Sequence, residues 1–188
     1  MENVLLIGLG NPGVEYTYSR HNSGFLIVDE IAKAVSSSSF KRSGGFVEIS
    51  SFLLDRYKII LAKPQTFMNL SGRAVQFLIQ FYKIPLNRVY VFHDDIDLPF
   101  ARIKIKRGGG NGGHNGLKDI DKTVGSEYWR IRIGVGRPME KTMVVSHVLG
   151  KFENEQIYKI QDIGKFISEN LNVLLSENYK QLEQQLNL

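Results

Sequence analysis

Short runs that are apolar throughout alternate along this chain with stretches whose apolar residues recur every three or four positions. Val4, Leu5, Leu6 and Ile7 form the first run, closed by Gly8 and Gly10. A run apolar on both faces predicts a buried strand, and the glycines predict the tight turn that ends it. Phe25, Val28, Ile31, Ala32 and Val35 then recur at helical spacing, with Asn22 or Ser23 placed to cap. Ser36–Ser39 and Gly44-Gly45 mark a loop. Phe46–Leu54 and Tyr57–Lys63 predict a hairpin around Asp55-Arg56, and Pro64 ends its second strand. Val75, Leu78, Ile79 and Tyr82 outline a helix face that stops before Pro85. Arg88–Phe92 predicts a buried strand running into His93-Asp94-Asp95. Ala101–Lys106 and Trp129–Val135 predict two more strands, separated by a glycine-rich loop and a short helix. Ile157, Ile160, Ile163, Ile167, Leu171 and Leu174 keep helical spacing, predicting one long amphipathic closing helix over 153–186.

This alternation predicts a single α/β domain over residues 1–188, a sandwich with helices on both faces of a twisted sheet. A hairpin beside strand–helix units predicts a mixed sheet. A chain of 188 residues is ample for one domain and thin for two. No stretch approaches the apolar length of a membrane span, and the N-terminus lacks a basic-then-apolar signal pattern. Cysteine is absent, which excludes disulfides and thiolate metal sites and fits a cytoplasmic location. With no exposed apolar face evident, a monomer is expected. The net charge of +5 is uneven: residues 151–188 hold four Lys and six Asp or Glu, so the first 150 carry +7. That excess predicts a polyanionic partner for the main body.

Several residues could carry chemistry. Gly8-Leu9-Gly10-Asn11-Pro12-Gly13 satisfies G-x-G-x-x-G. A dinucleotide site needs a helix starting inside the glycines, with its N-terminus facing the pyrophosphate. Here Pro12 interrupts the motif, the helical pattern begins only near Asn22, and the next strand carries no acidic residue at ribose distance. A dinucleotide-dependent oxidoreductase stands as one alternative. The run Gly108-Gly109-Gly110-Asn111-Gly112-Gly113-His114-Asn115-Gly116 lacks the Lys-Ser/Thr ending of a phosphate-binding loop. It predicts a mobile hinge over 108–113 leading into a lid helix that reaches 122, or more plainly a simple connection.

His21 lies where the first strand joins the first helix. A helix N-terminus disfavours the charged imidazole, so this placement predicts a neutral base near pH 7. The plainer reading is a polar loop residue. Asp94 falls at the C-terminal end of a buried strand, where α/β sheets place ligands. A carboxylate on one imidazole nitrogen fixes the tautomer and leaves the other nitrogen as a base. Both residues end buried strands, so they are able to meet, but spacing alone does not require it. The acidic residues of His93-Asp94-Asp95-Ile96-Asp97 do not converge enough to predict a metal site. Arg102, Lys104 and Lys106 alternate with Ile103 and Ile105, and Arg130 and Arg132 with Ile131 and Ile133. Each strand therefore has a basic side, and as neighbours they would form a cationic shelf for phosphates, extended by Lys118 and Lys122. The bland alternative is a solvating surface; a further one is a non-catalytic RNA-binding module.

Taken together, these stretches resemble the bacterial peptidyl-tRNA hydrolase family. The matching blocks are Gly8–Gly13 with Tyr16, Arg20-His21-Asn22 and Gly24; Pro64 with Thr66-Phe67-Met68-Asn69-Leu70-Ser71-Gly72; His93-Asp94 with Asp97-Leu98-Pro99; Gly108 to Lys118; and Val148-Leu149-Gly150-Lys151. They run in the family's order from Val4 to about Lys151. The resemblance implies a cytoplasmic esterase, free of metal and cofactor, that cleaves the bond between a nascent peptide and the ribose of tRNA and spares free aminoacyl-tRNA. It implies His21 as general base and Asp94 as the group that keeps it basic. Asn11, Phe67, Asn69 and Asn115 would line the site for the peptide and the tRNA 3′ end, with Tyr16, Met68 and His114 nearby. Since no serine or cysteine nucleophile stands out, the residues support direct attack by water, with amides from Asn69 and Asn11 or Asn115 holding the water and the carbonyl. Three positions depart from the family's pattern: Asn111 where histidine is common, Pro99-Phe100-Ala101 for a usual Pro-Pro-Gly, and Asp95 for a frequent glutamate.

Overall fold

The computed structural model describes residues 1–176 and 178–188. Strand β1 (Glu2–Gly8) lies between β4 (Tyr57–Pro64) and β5 (Val89–Asp95), parallel to both. With β2 (Lys41–Ser43), β3 (Val47–Leu54), β6 (Ile103–Arg107) and β7 (Trp129–Gly134), they form one sheet in the order β2-β3-β4-β1-β5-β7-β6. The four central strands are parallel, while β2 and β3 on one side and β6 on the other pair antiparallel. The mixed sheet expected from the hairpin is therefore present. The parallel core also gathers the C-terminal ends of β1, β4, β5 and β7 at one edge, the usual place for a ligand in such sheets.

Both faces are covered. Val4, Leu6, Tyr90 and Phe92 point into a core shared with α1 (Ser23–Ala34) and the C-terminal helices. Leu5, Ile7, Val89 and Val91 point into a second core shared with α2 (Ser71–Phe81) and α3 (Asn115–Val124). Burial on both sides explains why β1 and β5 read as unbroken apolar runs. The glycines of the first loop serve this packing. A Cβ on Gly8 would lie 2.1 Å from the Gly24 carbonyl oxygen, so the start of α1 rests backbone to backbone on the end of β1. His21 is thereby carried to the C-terminal edge of the sheet.

The remaining helices are α4 (Val144–Leu149), α5 (Asn154–Glu169), α6 (Leu171–Leu175) and α7 (Tyr179–Leu186). The closing segment is thus not the single helix expected over 153–186. Asn170 leaves helical geometry at φ −122° and ψ 24°, and its side-chain amide donates back to the Phe166 carbonyl at 2.8 Å. That local bond competes with helix propagation, and the turn brings α7 against edge strand β6. There Asn187 accepts from the Ile103 N–H at 2.9 Å and donates to its carbonyl at 2.8 Å, while Glu183 accepts from the Ile105 N–H at 2.9 Å. Side chains thus cover an edge that would otherwise pair with another strand. β6 starts at Ile103, two residues later than its apolar alternation suggests, because Ala101 holds φ +64°. The alanine occupies there a left-handed conformation that glycine adopts freely. β2 and α4 were not predicted; both are short and lack a strong period.

Candidate active site

The loop after β1 is fixed by a reciprocal clamp. The Asn22 side chain accepts from the Asn11 N–H at 2.9 Å and donates to the Asn11 carbonyl at 3.0 Å. Asn22 stands at the N-cap position of α1, but its side chain makes no cap bond because it is engaged with this loop. His21 sits in the 3-10 turn Arg20–Asn22 just ahead of α1 and is 8% exposed. Its Nδ1 lies 2.9 Å and 3.0 Å from the two carboxylate oxygens of Asp94, which is only 3% exposed at the end of β5. With Nδ1–H donating to the carboxylate, Nε2 keeps its lone pair and is the nitrogen able to take a proton.

His114 reaches the same carboxylate. It is the N-cap of α3, its Nδ1 accepting from the backbone N–H groups of Gly116 at 3.1 Å and Leu117 at 3.4 Å. The hydrogen is left on Nε2, which donates to Asp94 Oδ1 at 2.8 Å. Asp94 is thus held between two histidines whose ring centroids are 4.9 Å apart.

The electrostatics follow from this arrangement. Burial alone would raise the Asp94 pKa, but the charges of His21 and His114 and their hydrogen bonds outweigh it, holding Asp94 well below the usual carboxylate range. Burial alone would lower the His21 pKa, but the Asp94 charge and hydrogen bond carry it above 6.5. The expectation that the helix terminus disfavours the charged imidazole is corrected in direction, because the net shift at His21 is upward. The carboxylate dominates, giving a stronger base that is neutral above its raised pKa. The facing atoms of His21, Asp94 and His114 lie within 4.8 Å of one another, a spacing that a metal ion would also suit. In the tautomers just described, each facing histidine nitrogen carries a hydrogen aimed at the carboxylate and has no lone pair to offer a cation.

Asn11 is tied to the residue after His21 by the clamp with Asn22. Its Oδ1 accepts from the Met68 N–H at 2.7 Å, which leaves its amide hydrogens as donors. Met68 opens the 3-10 turn Met68–Leu70, and Ser71 Oγ donates to its carbonyl at 2.7 Å. The same turn packs on the start of α3, where a Cβ on Gly116 would meet Met68 Sδ at 2.6 Å. Asn69 follows on that turn, exposed, and Asn115 is the exposed first residue of α3. A cleft of about 340 Å³ is lined by His21, Asp94, His114 and Asn115. Val144, Val145 and Val148 of α4 and Ile96 supply apolar lining to it. The sequence reading missed that lining except for the block containing Val148, since α4 is too short for its apolar positions to show a period. Tyr16 is half-buried in the 3-10 turn Val14–Tyr16 and Phe67 is exposed. Among the described residues, no hydrogen bond or ring contact joins Tyr16, Phe67 or Asn69 to His21 or Asp94.

The basic strands do pair as neighbours: Lys104 lies opposite Arg132 and Lys106 opposite Arg130. They do not make a uniformly open shelf. Arg130 is fully buried, donating to the Gly110 carbonyl and, at 2.9 Å, to Asp121 of α3. It braces the glycine-rich loop and α3 against β7. Arg132 Nε bonds Asp95 at 2.7 Å. Arg102 is exposed but precedes β6 and lines a separate cavity with Gln181, Glu183 and Gln184. Lys104, Lys118 and Lys122 are exposed, and Lys106 is half-buried. Burial, and then the nearby Arg132 and Arg130, lower the Lys106 pKa. Alternation in the sequence placed these cations on one side, but it could not reveal that α3 covers part of that side.

The glycine motif at Gly8–Gly13 is followed by 3-10 turns, and α1 begins only at Ser23, so the helix does not start inside the glycines as a dinucleotide site requires. What remains is a histidine oriented by a buried carboxylate, at the ligand edge of an α/β sheet and facing an open cleft. That combination is able to take a proton from water bound in the cleft. Residues 5–188 match the peptidyl-tRNA hydrolase family. A peptidyl-tRNA hydrolase of Rickettsia bellii is 45% identical over 184 residues, 97% of this chain and 99% of the relative. One from Rickettsia prowazekii is 51% identical over 157 residues, 84% of each chain. The crystal structure of peptidyl-tRNA hydrolase from Acinetobacter baumannii superposes with a TM-score of 0.89 at 34% identity, covering 98% of this chain and 94% of that one. The chain belongs to the peptidyl-tRNA hydrolase family.

Proposed function

We propose that this protein hydrolyses the ester between a nascent peptide and the 3′-terminal ribose of tRNA, releasing both, and that it acts in the cytoplasm as a monomer without metal or cofactor. The observation that carries this is the His21–Asp94 pair, bonded at 2.9 Å and lining the cleft. His21 Nε2 takes a proton from water as the water attacks the ester carbonyl, and Asp94 stabilises the imidazolium that forms. The same proton then passes to the departing ribose oxygen. Asn69 and Asn115 supply amide donors to the developing oxyanion; losing one such donor typically costs about 3 kcal/mol of barrier.

Asn11 supports selectivity. Its oxygen is committed to the Met68 N–H, so it offers the substrate only N–H donors. These suit the carbonyl of a peptide bond and do not suit the ammonium of a free aminoacyl group, whose desolvation would go unmatched. Tyr16, Phe67 and Met68, with the His114 end of α3, flank the peptide and the tRNA 3′ end. Gly108, Gly109, Gly112 and Gly113 all hold positive φ, and the loop they form carries His114 and the start of α3 to the cleft. Lys104, Lys106, Lys118 and Lys122 take backbone phosphates without reading bases.

The test is release of free tRNA from N-acetylated aminoacyl-tRNA. Wild type should turn over with a chelator present, and His21→Ala should lose roughly 10²–10⁴-fold, the usual worth of a general base. Absence of turnover by wild type would refute the function, and retained turnover in His21→Ala would refute the mechanism.

A further inference from the structure

Beside the cleft, with four lining residues in common, lies a smaller cavity of about 60 Å³. Its lining includes His93, Asp95, Asp97, Lys106, Arg130 and Arg132, and it shares His93, Asp95, Asn111 and Gly112 with the catalytic cleft. Two buried side chains in that lining have polar atoms with no hydrogen-bond partner among the described residues: His93 Nε2 and Arg130 Nε. His93 is 3% exposed and Arg130 is 0% exposed. An unmet polar atom at such depth is destabilising unless something in the cavity meets it.

The chemistry of the two atoms narrows what that is. His93 Nδ1 donates to the Asp94 backbone carbonyl at 2.8 Å, so Nε2 carries the lone pair and needs a donor. Arg130 engages its two terminal nitrogens with Gly110 and Asp121, so Nε–H needs an acceptor. Sulfate would serve Arg130 and leave His93 unmet; a protonated phosphate is able to meet both atoms, and a phosphate soak separates it from water. A metal cation would meet Lys106, Arg130 and Arg132, while the two carboxylates of the lining, Asp95 and Asp97, are already bonded to Arg132 and Arg137. Water donates and accepts at once, and the cavity has room for one or a few molecules. Burial and the nearby His114 hold the His93 pKa down to about 3, which keeps its lone pair available.

This arrangement bears on catalysis because the His93 ring packs edge-on against His114, with centroids 5.2 Å apart and planes at 73°. We propose that the cavity is a site for bound water bridging His93 Nε2 and Arg130 Nε, and that His93, anchored by it, is a positioning residue that keeps His114 against Asp94. The catalytic part rests on the proposed esterase function; the water site does not.

Two measurements on the full chain test this. The first is a high-resolution crystal structure from phosphate- and sulfate-free solution, repeated after soaking in inorganic phosphate. Density that refines as water within hydrogen-bond reach of both atoms, unchanged by the soak, is the expected result; a dry cavity or a phosphate occupying it would overturn the site. The second compares His93→Asn with His93→Gln on N-acetylated aminoacyl-tRNA. Asparagine keeps the donor toward the Asp94 carbonyl and loses the acceptor at the Nε2 position; glutamine is long enough to put an acceptor back at that position. His93→Asn should lower kcat roughly tenfold, the worth of one hydrogen bond, with KM unchanged. His93→Gln should recover most of that loss. Equal kcat in wild type and both variants, or equal losses in the two variants, would overturn the positioning role. An inactive wild type with water seen in the cavity would instead sink the esterase function and leave the site standing.

Discussion

Replacing Asp94 with asparagine keeps the shape of the buried side chain and removes its charge. The carboxylate accepts from His21 Nδ1 at 2.9 Å and 3.0 Å and from His114 Nε2 at 2.8 Å. An asparagine has one oxygen acceptor and must turn its NH₂ toward one of the two histidine N–H groups, forcing that ring into the wrong tautomer or away from the site. In serine proteases the equivalent change lowers kcat about 10⁴-fold. The expected loss here is about 10²–10⁴-fold, or roughly 3–5 kcal/mol of barrier. The pH profile carries the sharper signature. A general base works when neutral, so wild-type kcat/KM should rise through a midpoint above 6.5, where Asp94 outweighs burial. In Asp94→Asn the lowering effect of burial acts alone, and the midpoint should fall below 6.5. The assay is tRNA release from N-acetylated aminoacyl-tRNA at subsaturating substrate across about pH 5–9. A variant within about tenfold of wild type, or one whose midpoint stays put, would refute the claim that this carboxylate sets the basicity of His21.

Stability should record the same pair. The His21 contribution is fully present below pH 6.5 and fades as pH rises through its raised folded value, whereas that of Asp94 is present above 3.8 and fades as pH falls; urea unfolding of wild type and Asp94→Asn across pH should show the difference closing at both ends. Asn11→Asp keeps the bond to the Met68 N–H but replaces two donors with a carboxylate, so hydrolysis of N-acetylated substrate should fall while that of free aminoacyl-tRNA rises relative to it, measured on the two substrates in parallel. Lys104→Ala should raise KM and leave kcat unchanged, and should flatten the dependence of log(kcat/KM) on log salt by about one unit; an unchanged slope would remove Lys104 from the phosphate path. Ala101→Gly relieves the left-handed backbone at φ +64° and should stabilise the fold by about 0.5–1 kcal/mol, read from urea midpoints.

Most of the sheet was legible because burial on two faces writes itself as unbroken apolar runs: Val4–Ile7 and Val89–Phe92 became β1 and β5 at the centre. The hairpin of β3 and β4 followed from its turn at Asp55-Arg56 and from Pro64. Elements decided by a single side chain were not legible. Asn170 ends α5 through a bond to Phe166, and Ala101 delays β6, where the local sequence pattern continues past both.

The candidate site divides along the same line. By itself the sequence determined which residue types stand at the ends of which strands: His21 after β1, Asp94 closing β5, His114 opening α3, and cations alternating on β6 and β7. These follow from local periodicity and turn chemistry, which act over a few residues. Only the tertiary structure decided that one carboxylate serves two histidines, that its charge outweighs burial at His21, and that Arg130 braces α3. Each of these depends on which distant group supplies charge or excludes water, and both effects are set by distances through space that spacing along the chain does not contain.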